Sequence, residues 1–246
     1  LVAYYGAPQS RELGALGIGT PDQAARRLER QARPYGEPGR PVLPALELIA
    51  TVADPLPGED GLYRTRQGAG TIRRYLAAAR RARALLVLDV QPGRARFLDE
   101  VRVLERYLRE PDVSLALDPE WHVAPGQVPG RDLGSMDAAE VNAVADRLDG
   151  LVRRRGLPEK LLLVHQFTAG MVRNRQRLTA RPGVATVLDV DGFGTAAQKV
   201  AKYRELTRGI FGFAHGLKLF YEEDTGLMRP SDVLRLRPQP DVVIYE

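Results

Sequence analysis

Three apolar runs of this chain end in the same way, with polar side chains two residues apart. ALLVLDVQPG (84–93) ends in Asp89 and Gln91, VSLALDPEW (113–121) in Asp118 and Glu120, and VATVLDVDGFG (184–194) in Asp189 and Asp191. In an extended strand, residues i and i+2 share a face. Each run therefore aims two polar groups the same way at its C-terminal end. Paired carboxyl groups at strand ends are the raw material of general acid–base chemistry.

The sharpest of these is Asp118-Pro119-Glu120-Trp121, which opens a Pro- and Gly-rich loop, 122–135. An indole beside a carboxyl group disfavours the charged form, raises the pKa and suits Glu120 to the role of general acid. Asp191, followed by Gly192, is the first choice of partner carboxylate, with Asp89 and Glu47 behind it. Two carboxyl groups across a cleft are what glycoside hydrolysis requires.

These residues must be positioned by something periodic. Strand-like runs recur at 1–6, 41–52, 84–90, 113–119, 160–167, 184–190, 216–221 and 241–246. Helical spacing fills the intervals at 20–36, 70–83, 95–111, 135–156 and 194–209, with shorter candidates at 168–181 and 230–236. Thr20-Pro21-Asp22 is a helix start, and Ser135 and Gly156 are read as cap and stop of the 135–156 helix. Alternating strands and helices imply parallel strands with right-handed crossovers, and eight such units in 246 residues fit a (β/α)8 barrel with a short or absent closing helix. Neither a dinucleotide-binding glycine fingerprint nor a P-loop is present, so a doubly wound nucleotide-binding sheet loses support. With no Ser/Gly linker, the chain reads as one domain, 1–246.

In a barrel of this kind the site lies at the C-terminal ends of the strands. Collecting those ends gives Tyr4 with Tyr5, Glu47, Asp89 with Gln91, Asp118 with Glu120, His165 with Gln166, Asp189 with Asp191, Lys218 with Tyr221, and Tyr245 with Glu246. Glu120, Asp191 and Asp89 are the catalytic candidates. Tyr5, Glu47, Gln91, Asp118, Trp121, His165, Gln166, Lys218 and Tyr245 are the candidates for holding substrate. Asp118 and Asp189 are expected to lie deeper than Glu120 and Asp191. Non-catalytic binding of a glycan or small molecule in the same cup is the rival reading. A third is a hydrolase using Mg²⁺ or Ca²⁺ held by the acidic strand ends and His165. His122, His165 and His215 are the only histidines and show no zinc spacing, so the sequence calls for no cofactor. Lys218 reads as a salt-bridge partner before a Schiff-base lysine.

Composition narrows the partners. The net charge of +5 comes with only four lysines among 36 basic residues, a skew that speaks of coding bias. The basic runs at 73–83 and 152–156 lie on outer helix faces, and no nucleic-acid signature accompanies them. No stretch has the ~20 apolar residues of a membrane span. There is no cysteine. The chain starts on a strand at Leu1, which raises the expectation of a leader upstream.

The segments YYGAP, LGALG, LDVQPGR, LALDPEW, LLLVHQF, DGFG and LKLFYEED together resemble a group of bacterial secreted or lipoprotein-type domains, themselves similar to glycoside-hydrolase barrels. The resemblance covers essentially the whole chain. It implies a (β/α)8 fold, an extracytoplasmic setting and a carbohydrate or other small polar ligand. The pattern departs from retaining barrel glycosidases at strand seven. Those carry a glutamate there, and this chain has Lys218, with Glu222 and Glu223 following in the loop.

Overall fold

In the computed structural model, which describes residues 1–246 apart from 37, 38 and 40, the chain closes into a barrel of parallel strands. The strands are β1 (Val2–Gly6), β2 (Pro44–Ala53), β3 (Leu85–Val90), β4 (Val113–Leu117), β5 (Lys160–Gln166), β6 (Val184–Val190), β7 (Ala214–Leu219) and β8 (Val242–Tyr245). Each pairs with its sequence neighbours, and β1 pairs with both β2 and β8, which closes the ring. Because both faces are covered, the strands are near-continuous runs of Val, Leu and Ala.

The helices are α1 (Pro21–Ala32), α2 (Ala69–Arg81), α3 (Phe97–Leu108), α4 (Ala138–Arg155), α5 (Ala196–Thr207) and the one-turn α6 (Pro230–Leu234). α1 starts at the expected place: Thr20 accepts from the Gln23 amide, Gln23 reaches back to Thr20, and Pro21 fills the first helical position. α4 is capped by Asp137, with Glu140 completing the box, and not by Ser135. Asp137 wins because its carboxylate sits where the first free amides point. The Arg-rich last turn of α4 ends at left-handed Gly156, as the sequence indicates.

The 168–181 segment is not an α-helix. It holds a two-residue strand, Val172–Arg173, paired with Met136–Asp137, and a single 3-10 turn at Arg175–Arg177. Left-handed Asn174 separates the two and prevents a continuous helix. The 18-residue α4 packs against both β5 and β6 and so covers the face that a further helix would have covered. A second addition is the antiparallel strand Arg64–Arg66 along β2. It is pinned by the buried Glu100 of α3, which accepts from Arg64 Nε (2.9 Å) and Arg66 Nε (2.7 Å).

Period-2 alternation then divides the barrel into two cores. Outward-facing Leu46, Leu48, Leu86, Leu88, Leu115, Leu162, Val164 and Leu188 pack under the helices. The inward face is apolar at its base, with Ala3, Ala45, Val87, Ala116, Leu163, Val187 and Val242 filling the lumen. Toward the C-terminal end the same inward positions turn polar. Among the described residues no helix is long and apolar enough to cross a membrane.

Candidate active site

The polar layer is a buried network in which the central link is His165 on β5. Its Nε2 lies 2.9 Å from Glu47 Oε1 of β2, and its Nδ1 lies 3.1 Å from Asp189 Oδ2 of β6 and 3.5 Å from Asp191 Oδ2. Burial alone would make this imidazole hard to protonate. The Glu47 charge and hydrogen bonds to Asp189 and Glu47 outweigh burial and push its pKa well up. The ring is therefore cationic when the network stands alone. Gly216 on β7 makes room for Asp189: a Cβ there would lie 2.2 Å from Asp189 Oδ1. Gly216→Ala is expected to lower stability by about 1–3 kcal/mol, because Asp189 cannot move without leaving His165. Unfolding in urea measures this; an unchanged midpoint would show that the network yields freely.

Above this layer sits Lys218 of β7. Its Nζ lies 2.6 Å from Glu246 Oε2 and 3.3 Å from Asp191 Oδ2, and 3.6 Å from the centre of the Tyr5 ring. Burial opposes its charge, but Asp191 and Glu246 together raise its pKa well above that of a free lysine. A lysine held this firmly as an ammonium is a fixed cation and no Schiff-base nucleophile. Asp191 is the counterpart. Burial pushes its pKa up, but Lys218, His165 and the Gly192 amide (2.6 Å to Oδ1) bring it below the usual carboxylate range.

Over these residues opens a cavity of about 310 Å³. Its polar lining includes Tyr5, Gln91, Asp118, Glu120, Asp191 and Lys218, and Trp121 and Phe167 are among its apolar walls. Tyr5 accepts from Gln91 Nε2 (2.9 Å) and donates to Asp118 Oδ2 at 3.4 Å. Burial, with Asp191 and Glu246 adding repulsion, pushes Asp118 up to about 6 against the pull of His165 and Lys218.

Glu120 differs from Asp191 and Glu246, which share Lys218. It sits on the 3-10 turn Pro119–Trp121 directly after β4. Gly134 packs against that turn, donating its amide to the Glu120 carbonyl (2.6 Å), and any Cβ at 134 would strike three carbonyl oxygens within 2.6 Å. The returning loop thus fixes the turn, and a Cβ at Gly130 would lie 3.8 Å from the Trp121 ring. The Glu120 carboxyl itself has no hydrogen bond or ion pair among the described residues. Burial, with Asp118 and Asp191 nearby, pushes it up to about 7.

Tyr5, Gln91, Asp118, Glu120, Trp121, Asp191 and Lys218 of the sequence-derived set thus meet at one cavity. Glu47, Asp89 and His165 lie beneath its floor, fully or almost fully buried. This corrects the reading of Asp89 as a partner acid at the mouth. Gln166 and Tyr245 are corrected more sharply, because strand parity turns both outward. Gln166 accepts from Arg175 Nη1 (3.0 Å), and Tyr245 shares a 2.6 Å hydrogen bond with Tyr35 and stacks on Tyr221. Asp118, expected to lie deep, does reach the cavity. Residues not singled out from the sequence also line it: Glu12 and Leu13 from the turn after β1, Phe167 and Phe193 from the loops after β5 and β6, and Glu223. Parity alone would have selected Glu246 over Tyr245. Nothing local to the loops marks the others.

No family model matches the chain, and no curated protein matches it. Among solved structures, one of 2,3-dimethylmalate lyase, titled a PEP mutase/isocitrate lyase superfamily member, aligns over 93% of this chain and 81% of its own, with 13% identity and a TM-score of 0.46. That protein is a lyase and not a glycosidase, and likeness at this level carries no argument about chemistry. The expectation of a glycoside hydrolase is corrected by the cup itself. Its mechanism pairs the acid with a second carboxylate, and none of the three partners proposed for Glu120 from the sequence is free for that role. Asp191 is instead committed through both oxygens to Lys218, His165 and the Gly192 amide, and Asp89 and Glu47 are sealed away from the cavity. The secreted or lipoprotein-type resemblance has no support from these comparisons.

Proposed function

We propose that this barrel is an enzyme of general acid–base chemistry that moves a proton on a small neutral or cationic substrate, with Glu120 as the proton-carrying group. The observation that carries this reading is the contrast within the cup. Asp191 and Lys218 hold each other as an ion pair, and Glu246 closes on Lys218 at 2.6 Å. Glu120 faces the same cavity uncommitted, and its carboxyl titrates near neutrality, the condition for efficient donation and return of a proton. Lys218 and Asp191 supply a pre-oriented charged wall.

The lining also restricts the substrate. Glu12, Asp118, Glu120, Asp191, Glu223 and Glu246 face Lys218 alone among the charged lining residues. An anionic substrate would meet repulsion, whereas a neutral or cationic one would not. Tyr5, Trp121, Phe167, Phe193 and Phe220 offer aromatic surface to its apolar part or to a cationic centre.

A thermal-shift panel of small amines, amides, alcohols and carboxylates tests this. Neutral or cationic members are expected to stabilise the chain and carboxylates are not. A bound member should be converted by the wild type and bound without conversion by Glu120→Gln. Preferential binding of carboxylates, or equal conversion by Glu120→Gln, contradicts the reading.

A further inference from the structure

We propose that the barrel carries a divalent-cation site beneath the floor of the cup, formed by Glu47 of β2, Asp89 of β3 and Nε2 of His165 on β5. One donor atom from each of these side chains falls within 4.8 Å of the others. Glu47 Oε1 and His165 Nε2 are 2.9 Å apart. Two ligands each ~2.1 Å from one ion and at about a right angle to each other are separated by about 3 Å, so this spacing suits a shared metal as well as a hydrogen bond.

A second observation is independent of the spacing. Asp89 is fully buried, and neither of its oxygens has a hydrogen-bond partner among the described residues; Glu47 Oε2 is in the same position. Buried carboxylate oxygens without donors are costly, and buried charges are normally paired or coordinate a metal. Lys218 cannot serve them, since it is held by Asp191 and Glu246. A cation at the Glu47–Asp89–His165 point would take one oxygen from each carboxylate and so give Asp89 the partner it lacks.

The surroundings of His165 agree with this. Its other nitrogen, Nδ1, faces Asp189 Oδ2 at 3.1 Å. A carboxylate behind a histidine is the arrangement that orients a metal-binding imidazole and strengthens it as a ligand. On metal binding the Nε2 proton is released to solvent, while the Nδ1 proton stays with Asp189. The neighbouring trio of His165, Asp189 and Asp191 is a poorer choice, because Asp191 faces the Lys218 ammonium. One imidazole with two carboxylates favours Mn²⁺ or Zn²⁺ over Ca²⁺, which takes oxygen ligands. None of the three ligands lines the cavity, so the ion is resident and acts through its field and by holding three strands. The site stands whether or not Glu120 is the proton carrier.

The test uses the whole chain, stripped with a chelator and dialysed separately against Mn²⁺, Zn²⁺ and Ca²⁺. About one equivalent of Mn²⁺ or Zn²⁺ is expected to remain by elemental analysis. At saturation the melting temperature should rise by about 5 °C or more, with little change for Ca²⁺. Asp89→Asn and Asp89→Leu should fold, because Asp89 accepts no hydrogen bond. Without metal they should melt at or above the wild-type temperature, and both should lose the bound ion and the shift. Retention of less than about 0.1 equivalent of Mn²⁺ and Zn²⁺ by the wild type, or equal retention by the Asp89 variants, overturns the site.

Discussion

Lys218→Met is expected to destabilise the fold by about 3–5 kcal/mol, the range for stripping one partner from a buried charge pair. Lys218 is 3% exposed and lies between Asp191 and Glu246. Methionine fills much of the space but leaves two carboxylates facing one another, with Asp118 close by. Asp191 then keeps only His165 and the Gly192 amide. The loss should be partly recovered in the Lys218→Met/Asp191→Asn double variant, since the second change removes one of the stranded charges. Recovery distinguishes a charge effect from lost packing. A loss below about 1 kcal/mol in the single variant would mean that water reaches the cup and screens it.

Glu120→Gln has the second large effect, and it runs in opposite directions for activity and stability. Removing a positioned proton carrier costs about 10²–10⁴-fold in rate. In the fold Glu120 titrates near 7, above the usual value of 4.5, so the folded state holds its proton more tightly than the unfolded chain does. The charged form is therefore penalised in the fold. The penalty is absent below about pH 4.5 and complete above about pH 7, where it amounts to about 2–3 kcal/mol. Glutamine never bears the charge. The variant should be more stable than wild type by that amount at pH 8, and about equal to it at pH 4. Denaturant midpoints at the two pH values check this. A variant less stable than wild type at pH 8 would show that the ionised Glu120 is well solvated.

The sequence made the barrel legible because alternating apolar runs and amphipathic segments are local signals. The three acid-tipped strands were legible for the same reason, and they do point into one lumen. Tyr245 and Gln166 stand at strand ends, but strand parity places both outside the lumen. Ile244 and His165 face inward, so their neighbours must face out. The absence of an α-helix after β5 has no local signal, because the cover comes from the length of α4, a tertiary fact. Hardest was the wiring of charges. His165 meets Glu47 across 118 positions of sequence, and Lys218 chooses Asp191 and Glu246 over other acids within reach. Residue type suggests that such groups will pair but not which pairs form. That choice leaves Glu120 uncommitted and Asp89 without a donor.

The central claim is that Glu120 is a free acid–base group poised near neutrality within a set of locked charges. A ¹³C NMR titration of the glutamate side-chain carboxyls, with the Glu120 signal identified by its loss in Glu120→Gln, tests it most directly. The account predicts a midpoint near pH 7 for Glu120. A midpoint near 4.5, the value of a solvated glutamate, would contradict it.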